Sequence, residues 1–152
     1  MTLRGLRAAW DEFFFEPEPP LAIGLYRIFY GAIVCVDLWL LRPDWTSWYG
    51  ERGVLPLSAL AAASSETGVS LFQFLPAGDA AVQASFWVLL AAAVSLTAGF
   101  CTRASAVLVF TGLVSMHHRN PLPLDGGDTA LRVLGFGLMF SHAGRAYSID
   151  RP

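Results

Sequence analysis

Apolar residues along this chain gather into four runs separated by polar breaks. The first, Leu21 to Leu41, reads LAIGLYRIFYGAIVCVDLWLL, and its length matches the roughly 20 residues needed to cross a hydrocarbon core. The second, Ala80 to Phe100, is uncharged throughout and rich in the Ala and Ser that permit close helix packing in lipid. The third, Ala104 to Met116, is short for a full crossing and is expected to extend through His118 or to sit where the bundle thins the bilayer. The fourth runs from Thr129 to Tyr147. The pattern predicts an all-α, polytopic membrane protein: a four-helix transmembrane bundle over residues 21–147, with spans at 21–41, 80–100, 104–118 and 129–147 and short interfacial helices.

The breaks fill in the rest. In the N-terminal segment, residues 1–20, Leu6, Trp10, Phe13 and Phe14 fall along one side of a short amphipathic helix expected to lie in the interface. EPEPP at Glu16 to Pro20 ends it, because proline lacks the backbone donor and disfavours helical backbone in the residue before it. Arg42 and Pro43 end the first span, and the loop from Asp44 to Pro56 holds Trp45, Trp48 and Tyr49, residue types typical of the headgroup layer. Leu57 to Gly78, with SSETG in its middle, is read as two short surface helices. Only Cys101 to Arg103 separates the second span from the third, which predicts a tight helical hairpin. HHRNPLPLDGGD then makes a polar turn, and residues 148–152 form a tail.

Composition supports lipid as the solvent. Of the 152 residues, 55% are hydrophobic and 14% charged. The mean hydropathy is +0.50, beyond what a soluble domain of this size carries. A net charge of -2 without a basic stretch leaves no footprint for nucleic acid, and no Gly-rich loop follows an apolar strand pattern to cradle a phosphate. All ten basic residues are arginine, which removes any Schiff base or lysine general base. Cys35 and Cys101 lie in or beside apolar segments without CxxC spacing and are read as packing residues. Asp11, Glu12, Glu16 and Glu18 argue against a cleavable signal peptide. Arg4, Arg7, Arg103, Arg145 and Arg151 fall on one side of the spans and Arg42, Arg52 and Arg119 on the other, so both termini are expected in the cytoplasm.

Ionisable groups within the spans are the candidate functional positions, since a charge at the bilayer centre costs about 2.5 to 3.5 kcal/mol without a partner, water or a short reach to the interface. Arg27 lies six residues, or roughly 9 Å, into its helix. From there it can snorkel to the cytoplasmic headgroups or pair with Glu16, Glu18 or His142, and both readings stay open. Asp37 is about 15 Å along the axis from Arg27, so the two cannot pair. In an antiparallel arrangement Asp37 and Arg132 share a depth near the outer end. We expect a polar cluster there of Asp37, Asp128 and Arg132, with His117 or His118 close by. The local alternative has Asp128 capping the fourth helix and pairing with Arg132 at i, i+4. His117, His118 and Asp125 match no common metal spacing, and no metal is expected. Gly24, Gly31, Gly135 and Gly137 read as points of close helix approach rather than cofactor contacts.

LYRIFYG with Asp37, GFCTR at Gly99 to Arg103, HHRNP, GGD, and AYSID at Ala146 to Asp150 together resemble the horizontally transferred transmembrane (HTTM) domain family, which is related to the vitamin K-dependent gamma-carboxylases. The resemblance runs from Pro20 to Asp150 and rests on the combination in order. It implies a multi-helix membrane domain with a cytoplasmic N-terminus, and it matches Arg27, Gly31 and Asp37 to the family's first helix, Gly99 and Arg103 to its hairpin turn, and Tyr147 and Asp150 to the end of the fourth helix. The carboxylases' catalytic lysine lies farther along than this chain extends, so glutamate carboxylation by this chain alone is not expected. Two functional classes follow. One is a bacterial cytoplasmic-membrane module acting with a protein partner or as an oligomer, like the family member that serves in maturation of a sporulation-delaying toxin. The other is the N-terminal part of a carboxylase-like enzyme holding a quinone-like or lipid ligand.

Overall fold

The computed structural model describes residues 21–56, 70–74, 78–123, 125–141, 143–145 and 147–149. Among them every regular element is helical and there is no strand. The elements are α1 (Leu21–Leu41), α2 (Trp45–Tyr49), α3 (Asp79–Ala98), α4 (Thr102–Arg119) and α5 (Gly126–Phe140), with 3-10 turns at Arg42–Asp44, Leu71–Phe74 and Ala143–Arg145. The interfacial helix expected before residue 21, residues 150–152 of the C-terminal tail and most of 57–78 lie outside the described residues.

The four long helices pack in a ring: α1 against α3, α3 against α4, α4 against α5, and α5 back on α1. Sequence spacing decides which faces turn inward. On α1 the buried positions are Gly24, Arg27, Gly31, Val34 and Leu38, with Tyr30 beside them, the three-and-four alternation of a single helical face. Phe86, Leu89, Ala93 and Leu96 do the same on α3, and Val109, Leu113 and Met116 on α4. Two glycines let backbones close in. A Cβ at Gly31 would strike the Thr97 hydroxyl of α3, and one at Gly135 the Tyr30 hydroxyl, which itself donates to the Leu131 carbonyl at 3.0 Å. Gly137 faces open space, so it marks no close approach.

Helix ends explain where the elements depart from the apolar runs. Helix α3 stops at Ala98 because Gly99 takes a left-handed backbone, φ +75°. Its N–H donates to the Leu96 carbonyl while that of Phe100 reaches back to Ser95, the paired bonds of a Schellman ending. Helix α4 begins three residues later, so the hairpin predicted at Cys101 to Arg103 is present and tight. Helix α5 starts at Gly126, earlier than the predicted Thr129, because Asp125 and Asp128 form a reciprocal capping box. It ends at Phe140, and the chain then turns through Ala143–Arg145.

Outward faces are apolar. Phe29, Ile33, Val36 and Leu40 on α1, Val88 and Val94 on α3, and Val133, Phe136 and Phe140 on α5 are all exposed. Leu21–Tyr49 and Asp79–Ala98 are long and apolar enough to cross a membrane, by length and composition. Only 33% of either apolar window is buried, whereas the core helix of a soluble protein buries most of its length.

Candidate functional site

The C-terminal end of α1, the turn between α4 and α5, and α2 meet at one end of the ring. Carboxylates gather here. Asp37, Asp125 and Asp128 line a cleft of about 410 Å³ with Ile33, Leu131 and Leu134. The capping box fixes two of them: Asp125 accepts from the Asp128 backbone N–H and Asp128 from that of Asp125, each at 3.1 Å. Asp125 is therefore the cap of α5, and Asp128 sits in its first turn.

His117 closes the inner side of this group. Its ring is 5% exposed, with Nε2 3.7 Å from the Asp128 carboxylate and Nδ1 without a hydrogen-bond partner. His118, one position on and about 100° around the helix, is half-buried. Asp37 makes no hydrogen bond or ion pair among the described residues. Arg132 is turned to the other flank of α5. Its guanidinium reaches the Thr129 hydroxyl at 3.4 Å and lines a separate cleft with Phe110, Val114 and Phe136. No ion pair joins it to Asp37 or Asp128. Of the expected cluster, Asp37, Asp128 and His117 come together, with Asp125 as a further carboxylate, and Arg132 stands beside them.

Tyr49 of α2 extends the site. Its ring is 3% exposed, tilted against Trp45 at 4.7 Å and stacked on Phe72 at 5.5 Å. Trp45 is fully buried against Phe86 and donates from Nε1 to the Val82 carbonyl at 2.8 Å. Both were expected, by residue type, at the headgroup layer; their side chains are buried within the bundle. Spacing alone could not separate the two, since a tryptophan with a single N–H suits either an interface or a core with one free carbonyl.

Two buried arginines rivet the ends of the ring. Arg27 is 0% exposed and donates to the Ala143 carbonyl at 3.1 Å and to that of Tyr147. It is turned into the bundle rather than snorkelling out; Glu16, Glu18 and His142 lie outside the described residues. Ser148 ties the same segment to α3 by donating to the Gly99 carbonyl. At the opposite end Arg119, 1% exposed, donates to the carbonyls of Leu55 at 2.8 Å and Gly50 at 2.9 Å, and Asn120 donates to Trp48 at 3.0 Å. Sequence reasoning counted Arg119 only as a flanking charge. Its position at the last turn of an apolar helix was the available signal.

A third feature is an apolar groove of about 450 Å³ between α3 and α4, walled by Val88, Leu89, Leu108, Gly112 and Phe72. The hydroxyls that reach it are already used: Ser85 donates to Val82, Thr111 to Val107 and Ser115 to Thr111. Cys35 and Cys101 are not bridged to one another. Among the described residues no three His, Cys, Asp or Glu side chains are placed to hold one metal ion between them. The chain matches no known family model, no curated protein and no solved structure.

Proposed function

We propose that this chain is a four-span membrane module of the horizontally transferred transmembrane type, with both ends at the cytoplasmic face, that works through a protein partner. The observation that carries the reading is the inversion of the helix ring: apolar side chains face outward, while Arg27, His117 and Arg119 are turned in and supplied with carbonyls or a carboxylate. In lipid a backbone carbonyl is a scarce acceptor, and a buried guanidinium is stable only where several are supplied. The Asp37, Asp125 and Asp128 cleft is the surface offered to the partner, and it suits a peptide carrying basic side chains, as in peptide or toxin maturation.

A second reading is favoured by the apolar groove, whose lining asks for no polar group and would accept a hydrocarbon chain. In it the chain is the N-terminal part of a gamma-carboxylase-like enzyme, and the groove holds a quinone-like or lipid ligand.

Purification in mild detergent followed by mass spectrometry decides between them. A protein partner that stays with the chain and is lost when Asp37 and Asp125 are both changed to Asn supports the module. A stoichiometric isoprenoid without a protein supports the enzyme. Recovery of the chain in the soluble fraction without detergent overturns both.

A further inference from the structure

Trp39 near the end of α1 and Arg42 one turn later share a face, and α3 brings Trp87 to the same place. The Arg42 guanidinium carbon lies 5.1 Å from the Trp39 ring centroid and 5.5 Å from that of Trp87, within cation–π range of both. A cation–π contact uses the charge of the guanidinium and does not itself consume its N–H donors. Among the described residues the Arg42 side chain makes no hydrogen bond and no ion pair, not even with its exposed neighbour Asp44. It is an exposed cation held within reach of two indoles.

We infer that Arg42, held between Trp39 and Trp87, docks the phosphodiester of a membrane phospholipid. The inference rests on the reading that α1 and α3 cross the membrane: Trp39 and Arg42 then close the first span, near the headgroup depth where tryptophan is favoured, and Trp87 reaches them from within the second. A planar guanidinium matches phosphate oxygens with two parallel N–H bonds. The source of the phosphate is a lipid because the cation tops an apolar wall. Trp39 is 55% exposed, and Phe29, Ile33 and Val36 continue the exposed α1 face toward the middle of the span, where acyl chains would lie. A free anion would use none of that surface.

The test is the full chain purified in mild detergent and stripped of lipid. Dioleoyl phosphatidylglycerol is added, its retention is followed by native mass spectrometry, and the lipid-dependent rise in melting temperature is recorded. Arg42→Gln is expected to lower lipid retention by about tenfold and to abolish the rise. Arg42→Lys keeps the charge without the planar fork and falls between. The double change Trp39→Leu and Trp87→Leu weakens retention although the arginine remains. A variant Arg42→Gln that melts lower without lipid yet still gains from phosphatidylglycerol as the parent does would show a mere staple between α1 and α3 and overturn the inference. Displacement of the lipid by equimolar inorganic phosphate would overturn it too. Failure of the membrane reading looks different: carbonate washing would then release the parent chain from membranes, whatever stands at position 42.

Discussion

Two buried arginines tie distant stretches of this chain together. Arg27 shows how. Its side chain gives the carbonyls of Ala143 and Tyr147 their partner in a place water does not reach. Replacing it with methionine keeps much of the volume but orphans both carbonyls, so Arg27→Met should cost about 2 to 4 kcal/mol, read as a lower unfolding midpoint in mixed detergent. Arg27→Lys should recover little, because an ammonium on a flexible stem is a poor substitute for a fixed fork reaching two acceptors. That Arg27 would be special was legible from its depth in an apolar run. That its partners are carbonyls 116 and 120 residues away was not, because every residue type owns a carbonyl and none advertises it in sequence.

Between helices, small residues and caps set the geometry. Gly31 and Gly135 sit where a Cβ would meet a hydroxyl of the neighbouring helix, so Gly31→Val should part α1 from α3, and Gly137→Ala, facing open space, should be tolerated. Detergent-resistant folding measured side by side for the two variants checks this, and equal tolerance would contradict the close approach. At the start of α5, Asp125→Ala removes the capping box and should lower stability by about 1 kcal/mol. The same substitution would loosen Asp128 from His117, so the loss should be larger in the parent than in a His117→Ala background. The apolar runs were readable because a helix needs only its own residues to satisfy its backbone. Their ends were less so: Asp128 looked like the cap of the fourth helix, but Asp125 competes for the same role three residues earlier and takes it through the reciprocal bond. The expected Asp37 and Arg132 association rested on a shared depth. Depth says nothing of rotation, and α5 turns Arg132 to its other flank. The charge-swapped pair Asp37→Arg with Arg132→Asp should therefore assemble no better than either single change.

As a whole the molecule is a ring of helices with its oil on the outside and its strongest hydrogen bonds within. Its two most apolar stretches bury only a third of their windows, which leaves outward apolar faces of the kind that lipid or another protein covers. The chain should stay with membranes through carbonate extraction and leave them only with detergent; release by carbonate would defeat the membrane reading. Such a design also has a cost in time. Arg27 is made early, and the carbonyls that receive it are made more than a hundred residues later. At about 5 to 20 residues per second of synthesis, these two acceptors appear on the order of ten seconds after the arginine. In the four-span reading the first helix therefore enters the bilayer before the contacts that fix its arginine to the far end of the chain exist, and the ring closes only when the last segment arrives to make them.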